Sequence, residues 1–401
     1  MLELVVLKLN KNLNNNVTGE FMKQLLITLG ALSLLLCGCH GMETEKVVTI
    51  GVIMPQSGGF AVYGTKVIRG MEYFIQQYNA EHEVKIKLLI KDNQSTPNGT
   101  ITAFNQLARY DKVPIVIGAY ASSNSAVLKP FARRYKIPVI TPTSTSDVVT
   151  ENNPYMFRTC FSDASQGEAL GKFTKQRLKI NRVGILIDID EDAEYSKGLA
   201  RSFAKSYKKA GGSVVIKVGY SRTDTENFPK LLNKIIMAKV DAIFAPTYLE
   251  EATKIIKAAR KYNFKGYVFG GDGWDEDELL TSSGPHLNRC FFSTMFSPFY
   301  NSSVVKKFVK EYASSHSGEI PGLCVAQGYD TIDLVADLIE NGKLTDLKKR
   351  LGQVEDFPGV TGNITIKPDG NTIKTVFVER VKRLKTGHFE AELVGVISPT
   401  E

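Results

Sequence analysis

The stretch PIVIGAYASSNSAVLKPFARRYKIPVITPTSTS, residues 114–146, decides the fold because it repeats one pattern twice. A short apolar segment, 116–118, leads into a turn of small hydroxyl residues, and a second apolar segment, 138–140, leads into another such turn. Residues 126–135 between them have a helical pattern. A strand, a helix and a strand at this spacing predict a βαβ unit of a parallel sheet.

Both predicted strands end in clusters of Ser and Thr residues. The carboxyl ends of parallel strands line the ligand crevice of an open sheet, and hydroxyls and free N–H groups there favour an anion such as a carboxylate. Ser and Thr are also common N-caps of helices and act by the same chemistry. From these residues alone, helix capping and ligand binding are equally good interpretations.

The rest of the chain continues the alternation of strands and helices. Strand 47–54 is followed by a Gly-rich turn and a helix, and strand 84–91 by a polar tail and another helix. The same order begins again after residue 159 and runs to residue 270, whereas the end, 362–396, has the pattern of β-hairpins. A chain of 401 residues predicts two or three domains, and the alternation predicts an α/β fold with doubly wound parallel sheets.

The amino-terminal segment has the pattern of a signal peptide. Met22 and Lys23 precede an apolar run, 25–36, which is too short to span a bilayer and fits a signal-peptide h-region. The following Leu36-Cys37-Gly38-Cys39 resembles the bacterial lipobox, in which Cys39 becomes diacylated; an ordinary secretory signal is the alternative. We expect a signal peptide over 1–38, of which 1–21 look like an over-extended start, and a lipid-anchored linker over 39–46.

The chain is basic, with 50 Lys and Arg residues against 42 Asp and Glu residues and a formal net charge of +8. This balance favours an anionic membrane or wall surface. Nucleic-acid binding is not expected, because Lys and Arg are scattered among acids without a basic run interleaved with aromatic residues. Three of the five cysteines, Cys160, Cys290 and Cys324, lie beyond the lipobox, and this odd number at wide spacing is no disulfide framework.

Five motifs follow one another in one order along the chain. They are SGxxAxYG (57–64), IGxxxSS (117–123), ITPxxT (140–145), FRT (157–159) and YSKGLA (195–200). Together they resemble the type I periplasmic binding proteins, most closely the leucine/isoleucine/valine-binding proteins of ABC transporters. The resemblance covers about residues 47–377 and agrees with a lipobox upstream.

The resemblance implies two Rossmann-like lobes joined by three hinge crossovers, with the ligand enclosed between the lobes. The crossovers are expected near 158–161, near 291–295 and around 371–376. Lobe 1 would then comprise 47–160 and 294–370, and lobe 2 would comprise 161–293 and 371–401. Such proteins bind by closure, because the ligand makes contacts that stabilise the closed state.

The resemblance also implies a binding site for an amino acid. Ser122 and Thr145 match positions that bind the α-carboxylate and the α-ammonium, and Thr143 matches one whose backbone carbonyl accepts from the ammonium. Asp272 matches an acid that pairs with the ammonium, as a buried zwitterion requires, although by itself it would be read as a turn residue. The residues expected to frame the ligand are Tyr63, Tyr195 and Tyr248, with Tyr120 and Ala121 at the neighbouring strand end.

Three departures from the family pattern affect the site. Ser95 and Ala121 stand where some relatives have a disulfide, so that crosslink is missing. Tyr120 replaces a smaller apolar residue and Asp272 replaces the longer Glu, and both changes alter the volume of the pocket. They leave open which ligand fits.

Cys160 and Cys290 are each placed by the sequence at or beside a crossover. A disulfide between them would restrict rotation of the lobes in an oxidising compartment. Two buried free thiols near a hinge are the alternative interpretation.

An enzyme on a Rossmann-like scaffold has little support. The sequence has no G-x-G-x-x-G after the first strand, no P-loop and no G-x-S-x-G, and its five histidines lie in unrelated segments. We therefore expect no catalysis, no cofactor and no metal site.

The sequence predicts an extracytoplasmic, lipid-anchored binding protein of the cell envelope. It would capture an amino acid, branched-chain or a related small zwitterion, and deliver it to ABC permease subunits. The alternative is a ligand-sensing envelope lipoprotein of the same fold without a transporter, which would bind an amide or a small organic acid.

Overall fold

The computed structural model of the chain describes residues 46–190, 192–224 and 227–398. The predicted signal peptide and Cys39 lie outside these residues. The described residues from Val47 onward belong to one compact unit, and all the described strands and helices lie within it. In the described ranges, no helix is both long enough and apolar enough to cross a membrane.

The structure contains the strands and helices that the alternation predicts. The strands are β1 (Val47–Met54), β2 (Lys85–Asp92), β3 (Val116–Gly118), β4 (Val139–Thr141), β5 (Met156–Arg158), β6 (Arg182–Asp188), β7 (Ser213–Tyr220), β8 (Ala242–Phe244), β9 (Tyr267–Gly270), β10 (Cys290–Thr294), β11 (Thr365–Ile366), β12 (Thr372–Ile373), β13 (Val376–Arg383) and β14 (Phe389–Ile397). The α-helices are α1 (Ala61–Glu81), α2 (Pro97–Gln106), α3 (Ser122–Ala126), α4 (Lys129–Tyr135), α5 (Asp163–Gln176), α6 (Ala193–Lys209), α7 (Phe228–Met237), α8 (Leu249–Lys261), α9 (Asp277–Ser283), α10 (Ser303–Ser315), α11 (Leu323–Glu340) and α12 (Leu347–Leu351).

A five-stranded parallel sheet has the order β2-β1-β3-β4-β5. Its central strands are buried on both faces, which explains their continuous apolar sequence. Because all five strands run in the same direction, their carboxyl ends meet at one edge. The hydroxyl-rich turns after β3 and β4 are therefore neighbours, as the sequence predicts.

A seven-stranded sheet has the order β14-β13-β10-β9-β8-β6-β7. Strands β6 to β10 pair in parallel, whereas β13 pairs antiparallel with both β10 and β14. The predicted hairpins at the end of the chain are confirmed by the pairs β13–β14 and β11–β12. We call the elements around the five-stranded sheet lobe 1 and those around the seven-stranded sheet lobe 2; the residue boundaries of the lobes stay a prediction.

Helix α11 packs so closely on α1 of lobe 1 that the crossing requires glycine. A Cβ atom at Gly70 would lie 2.0 Å from the carbonyl oxygen of Val325, and one at Gly328 would lie 2.0 Å from that of Val67. Both distances are far below van der Waals contact, so no side chain fits there. These glycines fix α11, although it lies late in the sequence, against the first helix of lobe 1.

The prediction of one helix over 126–135 is wrong. The segment instead contains α3, which begins at Ser122, and α4, which begins at Lys129. Pro130 is the reason, because it has no N–H and its ring disfavours a helix that runs through it. Ala121, not a serine, is the N-cap residue of α3, and it makes no side-chain cap bond.

The hypothesis of a disulfide between Cys160 and Cys290 is also wrong for this structure. Both thiols are free and buried, and so is that of Cys324. Cys160 packs in a cluster with Phe161 and Met295, whereas Cys290 packs in the core of lobe 2. They agree with the alternative interpretation as apolar packing residues.

Candidate functional site

Most hydroxyls at the carboxyl ends of β3 and β4 bond to the backbone of lobe 1. Thr143 Oγ1 donates to the Tyr120 carbonyl at 2.8 Å, and Ser144 Oγ donates to the same carbonyl at 2.9 Å. Thr141 Oγ1 donates to the Ala119 carbonyl at 2.8 Å, and Ser125 Oγ accepts from the Ala119 N–H at 2.9 Å. These bonds connect the two turns, so the edge that carries the predicted binding residues is rigid.

Arg158 stabilises the turn after β4 through hydrogen bonds to its backbone. Its side chain is fully buried and donates to the carbonyl oxygens of Ser144 at 3.0 Å, Thr145 at 2.5 Å and Ser146 at 2.7 Å. Carbonyl oxygens that accept from both Nη atoms offset the cost of burying the charge, whereas Nε has no hydrogen-bond partner among the described residues. The three successive carbonyls therefore point toward Arg158, and this orientation fixes the backbone on which Thr145 stands.

The facing edge, in lobe 2, carries Asp272 and Tyr195. Asp272 Oδ1 accepts from the Tyr195 hydroxyl at 3.0 Å and from Gln166 Nε2 at 2.8 Å. Burial raises the pKa of Asp272 to about 6, although these two hydrogen bonds act in the opposite direction. Asp272 therefore lies in a turn at the carboxyl end of β9 as an acid with a perturbed pKa.

Aromatic rings from both lobes meet between the two edges. Tyr63 stacks on Tyr120 with ring centroids 4.9 Å apart and lies 5.6 Å from the ring of Tyr248. Phe60 lies 4.8 Å from Tyr248, and Tyr195 lies 5.2 Å from it. All five rings are buried, so the described structure is one in which the lobes are in contact.

Asp163 lies beside this site, and the sequence interpretation missed it. It is the first residue of α5, its backbone N–H donates to the Thr145 carbonyl at 2.7 Å, and its side chain is fully buried. Neither carboxylate oxygen accepts a well-formed hydrogen bond within the described part of the chain, although the Thr145 hydroxyl and Arg158 lie near enough to lower the pKa of this carboxyl. Burial raises the pKa of Asp163 well above its usual range, and the nearby charge of Asp272 adds to this shift. A buried carboxylate without a partner requires either a proton or a cation.

Asp192 is the second acid that the sequence interpretation missed. It immediately precedes α6 of lobe 2, yet its carboxylate accepts hydrogen bonds from Ser122 and Ser123 of lobe 1 and from Tyr248. Its side chain is 1% exposed. Burial raises the pKa of Asp192, while the four hydrogen bonds oppose this shift.

The sequence profile of the family described as periplasmic binding protein matches residues 47–388. The chain belongs to the periplasmic binding protein family. It is a member of the leucine/isoleucine/valine-binding branch, and the proteins of this family bind transported substrates and are not enzymes.

Individual relatives agree with this assignment. An amino acid binding protein of Pseudomonas aeruginosa is 29% identical over 269 residues, which are 66% of this chain and 71% of that protein. Two solved structures are each 30% identical: leucine-binding protein LivK of Thermotoga maritima (TM-score 0.80, 88% of this chain and 99% of that one) and LivJ of Streptococcus pneumoniae with isoleucine (TM-score 0.78, 87% and 99%). A solute-binding protein of Rhodopseudomonas palustris in complex with 3,4-dihydroxybenzoic acid shares the fold at 22% identity, with a TM-score of 0.78 over 88% of this chain and 98% of that one.

In this periplasmic binding protein, the predicted site residues lie at two facing edges. Ser122, Thr143 and Thr145 belong to the edge of lobe 1, and Tyr195 and Asp272 belong to that of lobe 2. The other predicted site residues are buried between or beside these two edges; they are Tyr63, Tyr120, Tyr248 and Ala121. Cys39, the predicted lipidation site, lies outside the described residues.

The position of the missing disulfide has a different chemistry in this periplasmic binding protein. Ser95 Oγ donates to the Ser57 carbonyl at 2.8 Å and accepts from the Phe60 N–H at 3.0 Å. Ala121, the other position, is fully buried. The Ser95 hydroxyl thus stabilises the turn that contains Phe60 through one donated and one accepted hydrogen bond, and no covalent link joins Ser95 to Ala121.

Proposed function

We propose that this protein captures an amino acid, branched-chain or a related small zwitterion, by closure of its two lobes. Asp163 carries the proposal, because its buried carboxylate accepts no well-formed hydrogen bond from the described residues and lies near Asp272. A ligand α-ammonium placed between the two acids would supply the missing counter-charge. The α-carboxylate would face the donors of lobe 1 at Ser122 and Thr145.

Electrostatics favours a ligand that carries a cation over a plain organic acid. Three acids lie close together in the cleft. The charge of Asp272 raises the pKa of Asp163, and the charge of Asp192 raises the pKa of Asp272. Arg158 lowers the pKa of Asp163 but directs its own hydrogen bonds to carbonyl groups. A ligand that carries only a carboxylate would add a negative charge to the three buried acids, whereas the ammonium of a zwitterion would compensate the charge of one of them.

Closure is supported by contacts that join the lobes on the side of α1. Tyr63 donates its hydroxyl to the Gly273 carbonyl at 3.1 Å and accepts from the Leu249 N–H at 2.7 Å. Lys66 Nζ lies 2.5 Å from Glu276 and 2.9 Å from Glu278. A ligand that bonds to both edges would add to these contacts only in the closed state, and this difference is what drives closure.

Delivery follows from the family and from the predicted amino terminus. We propose that Cys39 is lipidated, that the protein stays at the outer side of the cytoplasmic membrane or in the periplasm, and that its closed form presents the ligand to ABC permease subunits. The partners are thus the amino acid, the permease and the membrane that holds the anchor. The hinge crossovers would lie near 158–161 at the end of β5, near 291–295 along β10 and its end, and around 371–376 from β12 to the start of β13.

The aromatic rings favour a second candidate function. Five buried rings in the cleft also suit a flat ligand, so a sensing lipoprotein of the same fold that binds an amide or a small organic acid without a transporter is the alternative. The unpartnered carboxylate of Asp163 favours the amino acid over such an acid.

Thermal-shift measurements on residues 47–401 test the proposal. The panel comprises the twenty amino acids, their amides and substituted benzoates, and a ligand that binds only the folded state raises Tm. We expect amino acids to stabilise the wild type and to lose this effect in Asp272→Asn, while the exposed control Asp356→Asn retains it. Stabilisation by benzoates alone would overturn the proposal in favour of the alternative.

A further inference from the structure

The carboxylate of Asp192 is saturated by donors from both lobes. Oδ1 accepts from the Ser123 N–H at 2.8 Å and from Ser123 Oγ at 2.8 Å. Oδ2 accepts from the Ser122 N–H at 3.1 Å and from the Tyr248 hydroxyl at 2.6 Å. Each oxygen thus has two donors, and the set combines backbone amides with hydroxyls, as binding of an anion at a strand end requires.

These donors coincide with the subsite that a ligand carboxylate would use. Ser122 lies at the carboxyl end of β3, on the edge where the sequence places the α-carboxylate, and Tyr248 is one of the aromatic residues expected to frame the ligand. Asp192 comes from the turn after β6 in lobe 2, so its side chain reaches across the cleft. The chain itself therefore supplies a carboxylate to the anion subsite.

We propose that Asp192 is a specificity-determining residue that competes with the α-carboxylate of the ligand for the Ser122 and Ser123 donors, an inference that rests on the proposed function. Two carboxylates do not share one set of four donors, because the second would be buried with its charge unpaired. An amino acid must therefore displace Asp192. An amine without a carboxylate would instead bind Asp163 and Asp272 while Asp192 keeps its bonds to Ser122 and Ser123.

The same bonds predict the state of the ligand-free protein. Asp192 joins lobe 2 to the strand ends of lobe 1 through bonds between protein groups alone, together with the contacts of Tyr63 and Lys66. Loss of Asp192 removes four charge-assisted bonds, each of which contributes more than a neutral one. The ligand-free cleft should then open.

The test compares Asp192→Asn with the wild type and with Glu194→Gln, an equal loss of charge at an exposed position on the same helix. An amide cannot accept all four bonds, because its NH₂ group faces donors. Ser123→Ala, which removes one donor only, gives a milder second variant should the first fold poorly. All are made in residues 47–401, and an unchanged circular dichroism spectrum verifies the fold.

Isothermal titration uses L-leucine and 3-methylbutylamine, which is leucine without its carboxylate. We expect Asp192→Asn to bind leucine about tenfold or more tightly than the wild type, since net loss of even one charge-assisted competing bond has that effect. Binding of the amine should not tighten, and Glu194→Gln should match the wild type with both probes. Unchanged or weaker leucine binding by Asp192→Asn would overturn the proposal.

Small-angle X-ray scattering decides the same point without a ligand. The ligand-free wild type should have the radius of gyration of the closed structure, and Asp192→Asn should have a larger one, with Ser123→Ala between them. Equal radii for all variants would overturn the proposal. If no variant binds leucine or another amino acid, the proposed function fails, while the scattering result still decides whether Asp192 holds the lobes together.

Discussion

The ring of Tyr120 stacks on the ring of Tyr63, with centroids 4.9 Å apart and planes inclined by 20°. Both residues belong to lobe 1, and Tyr120 also lies 6.0 Å from Tyr248 of lobe 2. The ring of Tyr120 thus occupies volume at the strand end where the ligand side chain is expected.

Tyr120→Leu should change which ligand fits. Removal of the ring frees space in the cleft, so binding of larger branched amino acids should gain relative to small ones, with a loss of about 1–2 kcal/mol in unfolding free energy from the missing stack and burial. Titration with alanine, valine and leucine measures the selectivity. Tyr110→Leu is the control because its side chain is 80% exposed. An unchanged order of affinities would show that Tyr120 does not shape the pocket.

Arg158→Met should destabilise the protein strongly. It removes the charge-assisted hydrogen bonds that the buried guanidinium donates to three successive carbonyl groups, and the loss of such a set costs about 3 kcal/mol or more of unfolding free energy. Urea unfolding of residues 47–401 measures the change. Arg177→Met, at an exposed position, should differ from the wild type by less than about 0.5 kcal/mol. A similarly small effect at Arg158 would contradict the role assigned to it in holding the turn of Thr145.

Gly328→Ala should destabilise the packing of α11 on α1. The added Cβ would lie 2.0 Å from the Val67 carbonyl oxygen, and overpacking of this kind costs about 1–3 kcal/mol despite the better helix propensity of alanine. Gly322→Ala is the matched control, since a Cβ there meets no atom within 4 Å. Chemical denaturation of both variants checks this, and equal stabilities would mean that the two helices separate at no cost.

Affinity for the amino acid should fall in acid. The carboxyl of Asp272 has a raised pKa of about 6, so it binds a proton when the pH drops below that value and can no longer pair with the ligand ammonium. Affinity should therefore be constant above about pH 7 and fall by up to about tenfold for each pH unit below 6. Asp163, whose pKa is also raised, would add to the loss, whereas protonation of Asp192 would weaken its competition with the ligand carboxylate and partly offset the loss.

Titration calorimetry from pH 4.5 to 8 measures this dependence. Asp272→Asn should bind weakly at all pH values, with a much flatter profile, whereas Asp356→Asn should follow the wild type. A wild-type affinity that rises as the pH falls would contradict the pairing of Asp272 with a cation.

The sequence predicts the sheets well because their signals are local. Apolar strands such as 116–118 and 138–140, each followed by hydroxyl residues, indicate buried parallel strands and the edge at which their turns meet. The break between α3 and α4 also has a local cause, Pro130, which is visible in the sequence. The helical periodicity of 126–135 nevertheless favoured a single helix.

The acids at the site could not be predicted in the same way. Asp192 ends an acidic turn that looks solvent-exposed in the sequence, and its role depends on Ser122 and Ser123, which lie about seventy residues away in the other lobe. Asp163 likewise looks like a helix-start acid, and its complete burial without a well-formed hydrogen bond from the described residues depends on the tertiary structure. Its position four residues after Phe157-Arg158-Thr159, close to the end of β5, was the available signal.

We propose that Asp163 and Asp272 together receive the ammonium of an amino acid. Calorimetric titration of residues 47–401 at pH 7.5 with L-leucine and with 4-methylpentanoate, which is leucine without its amino group, tests it most directly. We expect measurable binding of leucine and at least about a hundredfold weaker binding of 4-methylpentanoate, because with 4-methylpentanoate the buried acids lack their cation. Equal or tighter binding of 4-methylpentanoate would contradict it.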